Sequence, residues 1–375
     1  MRMARWFIVS FPACKHAKRK SVFTGGLRWL ASEPFRLFFA CGMLWSVIGV
    51  SLWPLFYAGK LGFFPSFVHA RLMIEAFGGA FVVGFLGTAG PRMASAPKLT
   101  PLELVMLFAL HIACGVSHLT LHMQAGDACF LAMLAMLLMC LVIRVAKFRK
   151  DWPPPQMLLA MTGLLCGIAG TTLWLRPATL LDANLFRLAG LLLYQGLLLP
   201  PLLGIGSFIF PRILGGDFGE PTAGTDHRRS LLRAASAAVL IVLSFVFEAW
   251  GWIKLGYMIR TLAPVLYLLR EIKWCKPAGS LPKGLIWALG TGFFGLSLPA
   301  FFYARHIALE HLLYVGGFGL IILVVASRVL FGHSGELDAF AKKSWFARTL
   351  IFLVVLAATT RASADFLPSI QVSHY

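Results

Sequence analysis

Long apolar runs separated by short polar segments recur along the chain. They fall at roughly 37–58, 72–90, 101–121, 128–143, 156–175, 186–210, 232–252, 255–270, 284–303, 307–331 and 346–362. An α-helix needs about 20 apolar residues to cross a hydrocarbon core. The pattern therefore predicts eleven membrane-spanning helices in an all-α, polytopic bundle. The eighth run is the least regular, because Arg260 sits inside it. Three regions follow: a basic tail over 1–32, a transmembrane helical domain over 33–365 and a short external tail over 366–375.

The second and sixth runs end alike, Gly84-Phe85-Leu86-Gly87-Thr88-Ala89-Gly90-Pro91-Arg92 against Gly204-Ile205-Gly206-Ser207-Phe208-Ile209-Phe210-Pro211-Arg212. The tenth closes on Val325-Ala326-Ser327-Arg328. These runs are four spans apart each time, which is either a threefold pseudo-repeat of four-helix units or a chance match of Gly and Pro in apolar sequence. Aligning the arginines puts Glu75, Gln195 and His311 at one depth. The glycines nearby, Gly78-Gly79 and Gly316-Gly317, allow either close helix packing or room for a flat macrocycle.

Composition settles the class. Of 375 residues, 59% are hydrophobic and only 13% charged, with mean hydropathy +0.79. An ordinary soluble domain carries about 25% charged residues. The net charge of +19 is distributed by topology: 26 of the 34 Lys and Arg flank one set of loops and eight the other. That bias predicts a cytoplasmic N-terminus and, with an odd number of spans, an external C-terminus. Anionic lipid headgroups are the expected partner of the basic side, and no nucleic acid is expected. The first twenty residues lack a small-residue cleavage site ahead of their basic cluster, so they do not read as a cleaved signal peptide. A segment around Trp6 to Phe11 is expected to lie on the membrane surface. Seven cysteines with no CxxC pair argue against a disulfide framework or a thiolate zinc site, and read as small buried hydrophobes.

The candidate chemistry lies in histidines. Six of ten, His69, His111, His118, His122, His306 and His311, fall inside or at the mouth of apolar runs, where ionisable groups are expensive and usually functional. On one continuous helix, His111, His118 and His122 share a face. His69, His118, His122, His306 and His311 all fall in the predicted outer half, with His111 near the midplane and His333 at the inner end of the tenth run. Imidazoles gathered from several helices suggest a metal or haem site; the alternative for each is hydrogen-bonded helix packing. Arg71 either neutralises a haem propionate or anchors to lipid phosphate. Glu248 and Glu310 either handle protons, orient a ligating imidazole, or make interhelical hydrogen bonds. Tyr194 and Tyr314 are expected to pack. No dinucleotide, Walker or nucleophile-elbow pattern occurs in a supporting setting, so no catalytic residue is singled out. There is no CxxCH, which excludes covalent haem attachment.

Several stretches resemble the NnrS family: Glu33-Pro34-Phe35-Arg36, His69-Ala70-Arg71, the Gly84 to Ala89 segment, and the glycine-rich end of the sixth run before Pro211-Arg212. Most specific is His311-Leu312-Leu313-Tyr314-Val315-Gly316-Gly317-Phe318-Gly319, running into Ser327-Arg328-Val329-Leu330-Phe331-Gly332-His333-Ser334-Gly335. The resemblance implies a haem- and copper-containing protein of the bacterial inner membrane, associated with the response to nitric oxide. It implies functional roles for His69, His311 and His333. The family commonly reads His-Ala-His-Glu where this chain has His69-Ala70-Arg71-Leu72, and it tends to have twelve spans rather than eleven. The large subunit of haem-copper oxidases is more distantly similar, with three pseudo-repeats and haem histidines near the outer ends of helices two and ten. The sixth and seventh runs here offer no histidine for an oxidase-type copper, so oxygen reduction is not expected.

The expectation is therefore haem b on His69 and His311, with His306 as the alternative and Arg71 beside a propionate. His118 and His122 form a second site for copper, with His111 and His333 as further metal candidates. An electron donor or nitric oxide is the expected small partner. The rival from another class is a multi-span proton- or metal-coupled transporter that uses the same histidines. A third is an assembly factor in which they only pack.

Overall fold

The computed structural model describes residues 22–177, 182–215, 225–272, 274 and 276–366. The expected surface segment around Trp6 and nearly all of the external tail lie outside the described residues. Thirteen helices and no strand occur among those described: α1 Val22–Ala31, α2 Phe35–Tyr57, α3 Ser66–Met93, α4 Pro101–Leu119, α5 Met123–Phe148, α6 Met157–Trp174 and α7 Ala183–Ile213. They continue as α8 Thr225–Ala249, α9 Ile253–Glu271, α10 Ser280–Ser297, α11 Tyr303–Ser334, α12 Leu337–Ala341 and α13 Trp345–Ala364. Every predicted apolar run is helical, and nine of the helices are long and apolar enough to cross a membrane. The protein is a multi-pass helical membrane protein. Of the other four, α9 and α10 occupy the eighth and ninth runs, and α9 carries Lys254, Arg260, Arg270 and Glu271.

The helices form two compact units, one within Pro12–Pro201 and one within Leu202–Tyr375, with the boundary inside α7. In the first unit α4 begins at a capping box. Thr100 accepts from the Glu103 backbone N–H at 3.2 Å while Glu103 accepts from Thr100 N–H at 2.7 Å, and Pro101 fills the first helical position. Two ion pairs tie helix ends together: Arg92 at the end of α3 bonds Glu33 ahead of α2, and Arg144 on α5 meets Glu103 at 2.6 Å. Arg92 is thus paired with a carboxylate of the protein. The most enclosed helix of this unit is α3, with 83% of its apolar window buried, so its polar side chains must find partners inside the protein.

The internal repeat is visible in the backbone, with a register that differs from the one read off the arginines. Helices α3, α7 and α11 each contain a π-helical turn, Leu72–Gly78, Leu192–Gly196 and Leu312–Gly319, whose first residues stand at a constant interval in the chain. In this register Glu75 still matches Gln195, but the third position is Val315 instead of His311, and Tyr194 matches Tyr314. The arginine alignment is off by about one turn in the third helix: in the π-turn register the place of Arg92 and Arg212 falls to Gly332, and Arg328 stands one turn before it.

The hairpins α4–α5 and α8–α9 repeat as well. Leu121 N–H donates to His118 O at 3.1 Å and His122 N–H to Ser117 O at 2.8 Å; Gly251 N–H donates to Glu248 O at 3.1 Å and Trp252 N–H to Phe247 O at 2.8 Å. The left-handed residue of the turn is Leu121 (φ 65°) in one and Gly251 (φ 89°) in the other. His118, Gly126 and Asp127 therefore hold the same places as Glu248, Gly256 and Tyr257. Helix α4 ends at Leu119, so His122 leaves the predicted stripe of three and stands at the N-cap of α5.

Candidate metal and proton-bearing clusters

In the first unit a polar cluster joins α3, α4, α5 and α7. Arg71 grips Asp127 with two donors, Nε at 2.7 Å and Nη2 at 3.2 Å, and donates from Nη1 to the Tyr194 hydroxyl at 3.1 Å. Its guanidinium lies 3.8 Å from the centre of the Trp174 ring, and its Nε is 3.2 Å from Glu75. The other Glu75 oxygen is 2.9 Å from His118 Nε2 and accepts from the Cys114 thiol at 3.7 Å. Glu75 and His118 are fully buried and Asp127 is nearly so. One ligand atom each from Glu75, Cys114 and His118 lie within 4.8 Å of one another, close enough to hold an ion. The π turn contributes directly, since it carries Glu75, and such turns are frequent at functional sites.

Local sequence explains the placement. Cys114 and His118 are four apart on α4 and share a face, and the His118 ring lies flat against Gly126, where any Cβ would overlap it. Nδ1 of His118 is buried with no hydrogen-bond partner among the described residues. The nitrogen that faces the carboxylate and the thiol is Nε2, while the orphaned Nδ1 lies on the Gly126 side of the ring, so the fit to an absent ion rests on the donor set itself: a carboxylate, a thiol and an imidazole brought together in the interior.

The remaining predicted residues fall out as follows. His111 is fully buried on the same helix, between Phe38 (5.5 Å) and Phe108 (6.3 Å), with both ring nitrogens lacking a hydrogen-bond partner among the described residues. His122 is exposed, with Nδ1 3.1 Å from Thr120 Oγ1. His69 is half-buried beside Trp53 and donates from Nδ1 to Gly49 O at 2.9 Å. In the second unit His306 stacks on Tyr303 at 4.6 Å and donates to its carbonyl at 2.8 Å. His311 donates to Ile307 O at 2.7 Å and His333 to Val329 O at 2.8 Å. A carbonyl that accepts from Nδ1–H fixes the tautomer in which the proton sits on Nδ1, the form in which an imidazole would ligate a metal through Nε2. The glycines serve packing: Gly78 and Gly79 take up Leu198 and Phe130, and Gly316 and Gly317 take up Thr291 and Gly292 of α10.

The second unit holds its own buried set. Glu248 pairs with Arg260, which lies 4.6 Å from the Tyr257 ring centre, and the Tyr257 hydroxyl donates to Glu310 at 2.5 Å. Tyr314 donates to the other Glu310 oxygen at 3.5 Å. This explains how α9 carries Arg260 in an apolar setting, and it makes Glu310 an interhelical hydrogen-bonding group.

Sequence reasoning passed over Asp127 and treated Cys114 and Tyr194 as packing residues. The available signal was Asp127 itself, a lone acid at the start of a long apolar run, which by default demands a buried partner. Among curated proteins none matches the chain. The profile of the NnrS protein family matches residues 29–375, nearly the whole length and including both units' clusters, and the chain belongs to that family.

Proposed function

We propose that this NnrS-family protein is a haem- and copper-class metalloprotein of the bacterial inner membrane, N-terminus in the cytoplasm, acting in the response to nitric oxide. The observation that carries the metal assignment is the buried meeting of Glu75, Cys114 and His118. A thiol, an imidazole and a carboxylate form a mixed donor set suited to copper or zinc rather than to magnesium or calcium. Haem b would take Nε2 of His69 or His311, with His306 as the alternative, and supplies one-electron chemistry and a ligand position for nitric oxide when bound. Arg71, held by Asp127, Tyr194 and Trp174, belongs to the ion cluster in this assignment instead of a propionate.

Purified protein, assayed for copper and by a reduced-minus-oxidised optical spectrum, tests the proposal. Copper and a Soret band are expected. His118→Ala and Glu75→Gln should remove the copper and leave the Soret band in place. Colourless, copper-free protein refutes the assignment.

A further inference from the structure

Two carboxylates, Glu75 and Asp127, face one guanidinium, Arg71, whose Nε is 2.7 Å from one and 3.2 Å from the other. Arg71 is thus a cation already seated between the two acids, and an ion held by Glu75, Cys114 and His118 shares the Glu75 carboxylate with it. Building on the metal assignment above, we infer that Arg71 is a tethered competitor that selects the ion by charge, favouring a monovalent soft ion over a divalent one.

The physical reason is electrostatic. Arg71 already occupies the space between Glu75 and Asp127 and offsets the negative charge they would otherwise present to an incoming ion. At equal separation the guanidinium repels a divalent ion twice as strongly as a monovalent one, and burial weakens the solvent's screening of that repulsion. Arg71 cannot shed its charge to make room, because guanidinium stays protonated in proteins. Its other holds show how it is kept in place: two donors on Asp127, one on Tyr194, and the Trp174 ring 3.8 Å from its centre. The cluster lies wholly within the first unit, so one fold unit carries both ion and competitor.

The test measures binding by the full chain in detergent. Cu(I) is supplied in competition with a chromophoric chelator, and Zn²⁺ is the divalent comparison. Arg71→Gln should tighten Cu(I) by at least about tenfold and Zn²⁺ by at least about a hundredfold, following the twofold difference in Coulomb repulsion. Arg71→Lys keeps a cation but gives up the two-donor grip on Asp127 and the Trp174 stacking, so its gain should be smaller than that of Arg71→Gln for both ions. Equal or weaker binding by Arg71→Gln, or the same gain for both ions, overturns the inference while leaving the metal site standing. Absence of binding by the unsubstituted chain and every variant removes the metal assignment and this inference together. A readout that needs no change at Arg71 guards against misfolding: loading Cu(I) should alter the emission of Trp174, isolated as the difference from Trp174→Phe, as the guanidinium is pushed off Glu75. An unaltered Trp174 signal in metal-loaded protein also overturns it.

Discussion

Gly126→Ala puts two rules in opposition. Gly126 lies in the first turn of α5, where helix propensity alone favours Ala over Gly by about 1 kcal/mol. A Cβ there, however, meets the His118 ring. The ring is anchored by the 2.9 Å contact to Glu75 and both partners are fully buried, so it has little freedom to move aside. Overpacking a dense interior costs about 1–3 kcal/mol, and losing a hydrogen bond to a charged group costs about 1.5–3 kcal/mol. With both costs set against the propensity gain, the net expectation is a loss of about 1.5–5 kcal/mol. The assay is a double-mutant cycle by thermal unfolding in detergent. Gly126→Ala should destabilise the unsubstituted protein, and in a His118→Ala background its sign should reverse to neutral or stabilising. Equal destabilisation in both backgrounds would refute the claim that the imidazole is what reserves this position for glycine.

Three other outcomes follow from the same geometry. Breaking the Glu248–Arg260 pair from either side should cost about 3–5 kcal/mol, while Glu248→Leu with Arg260→Met together should cost far less than the sum of the singles, read from unfolding midpoints. Tyr257→Phe should lower stability by about 1.5–3 kcal/mol through the lost bond to Glu310, whereas Tyr57→Phe, on an exposed residue of α2, should have no measurable effect. His111→Leu in metal-free protein should raise stability by about 1–3 kcal/mol, since it replaces an unsatisfied buried imidazole among phenylalanines with a hydrocarbon; a loss in the metal-free state would mean the imidazole has a partner of its own.

The sequence was enough to establish a many-span helical membrane protein and its family, and it singled out the histidines as candidates for its chemistry. Those conclusions rest on hydropathy, Lys and Arg placement and local motifs, all of which act over about 20 residues or fewer. A pseudo-repeat was also legible, but its register was not. Hydropathy is blind to the π turns beginning at Leu72, Leu192 and Leu312, which rotate everything beyond them relative to a regular helix. Only the tertiary structure decided which polar groups meet. Arg71 and Asp127, and likewise Glu75 and His118, are far apart in the chain, and their pairing depends on how α3, α4 and α5 are rotated against one another. Inside a membrane that rotation is fixed by packing at residues such as Gly79 against Phe130 and Gly126 against His118, and by the cost of leaving a buried charge without its partner. No local pattern records those long-range matches, which is why His122 was grouped with a stripe it leaves and Asp127 was overlooked in the cluster it completes.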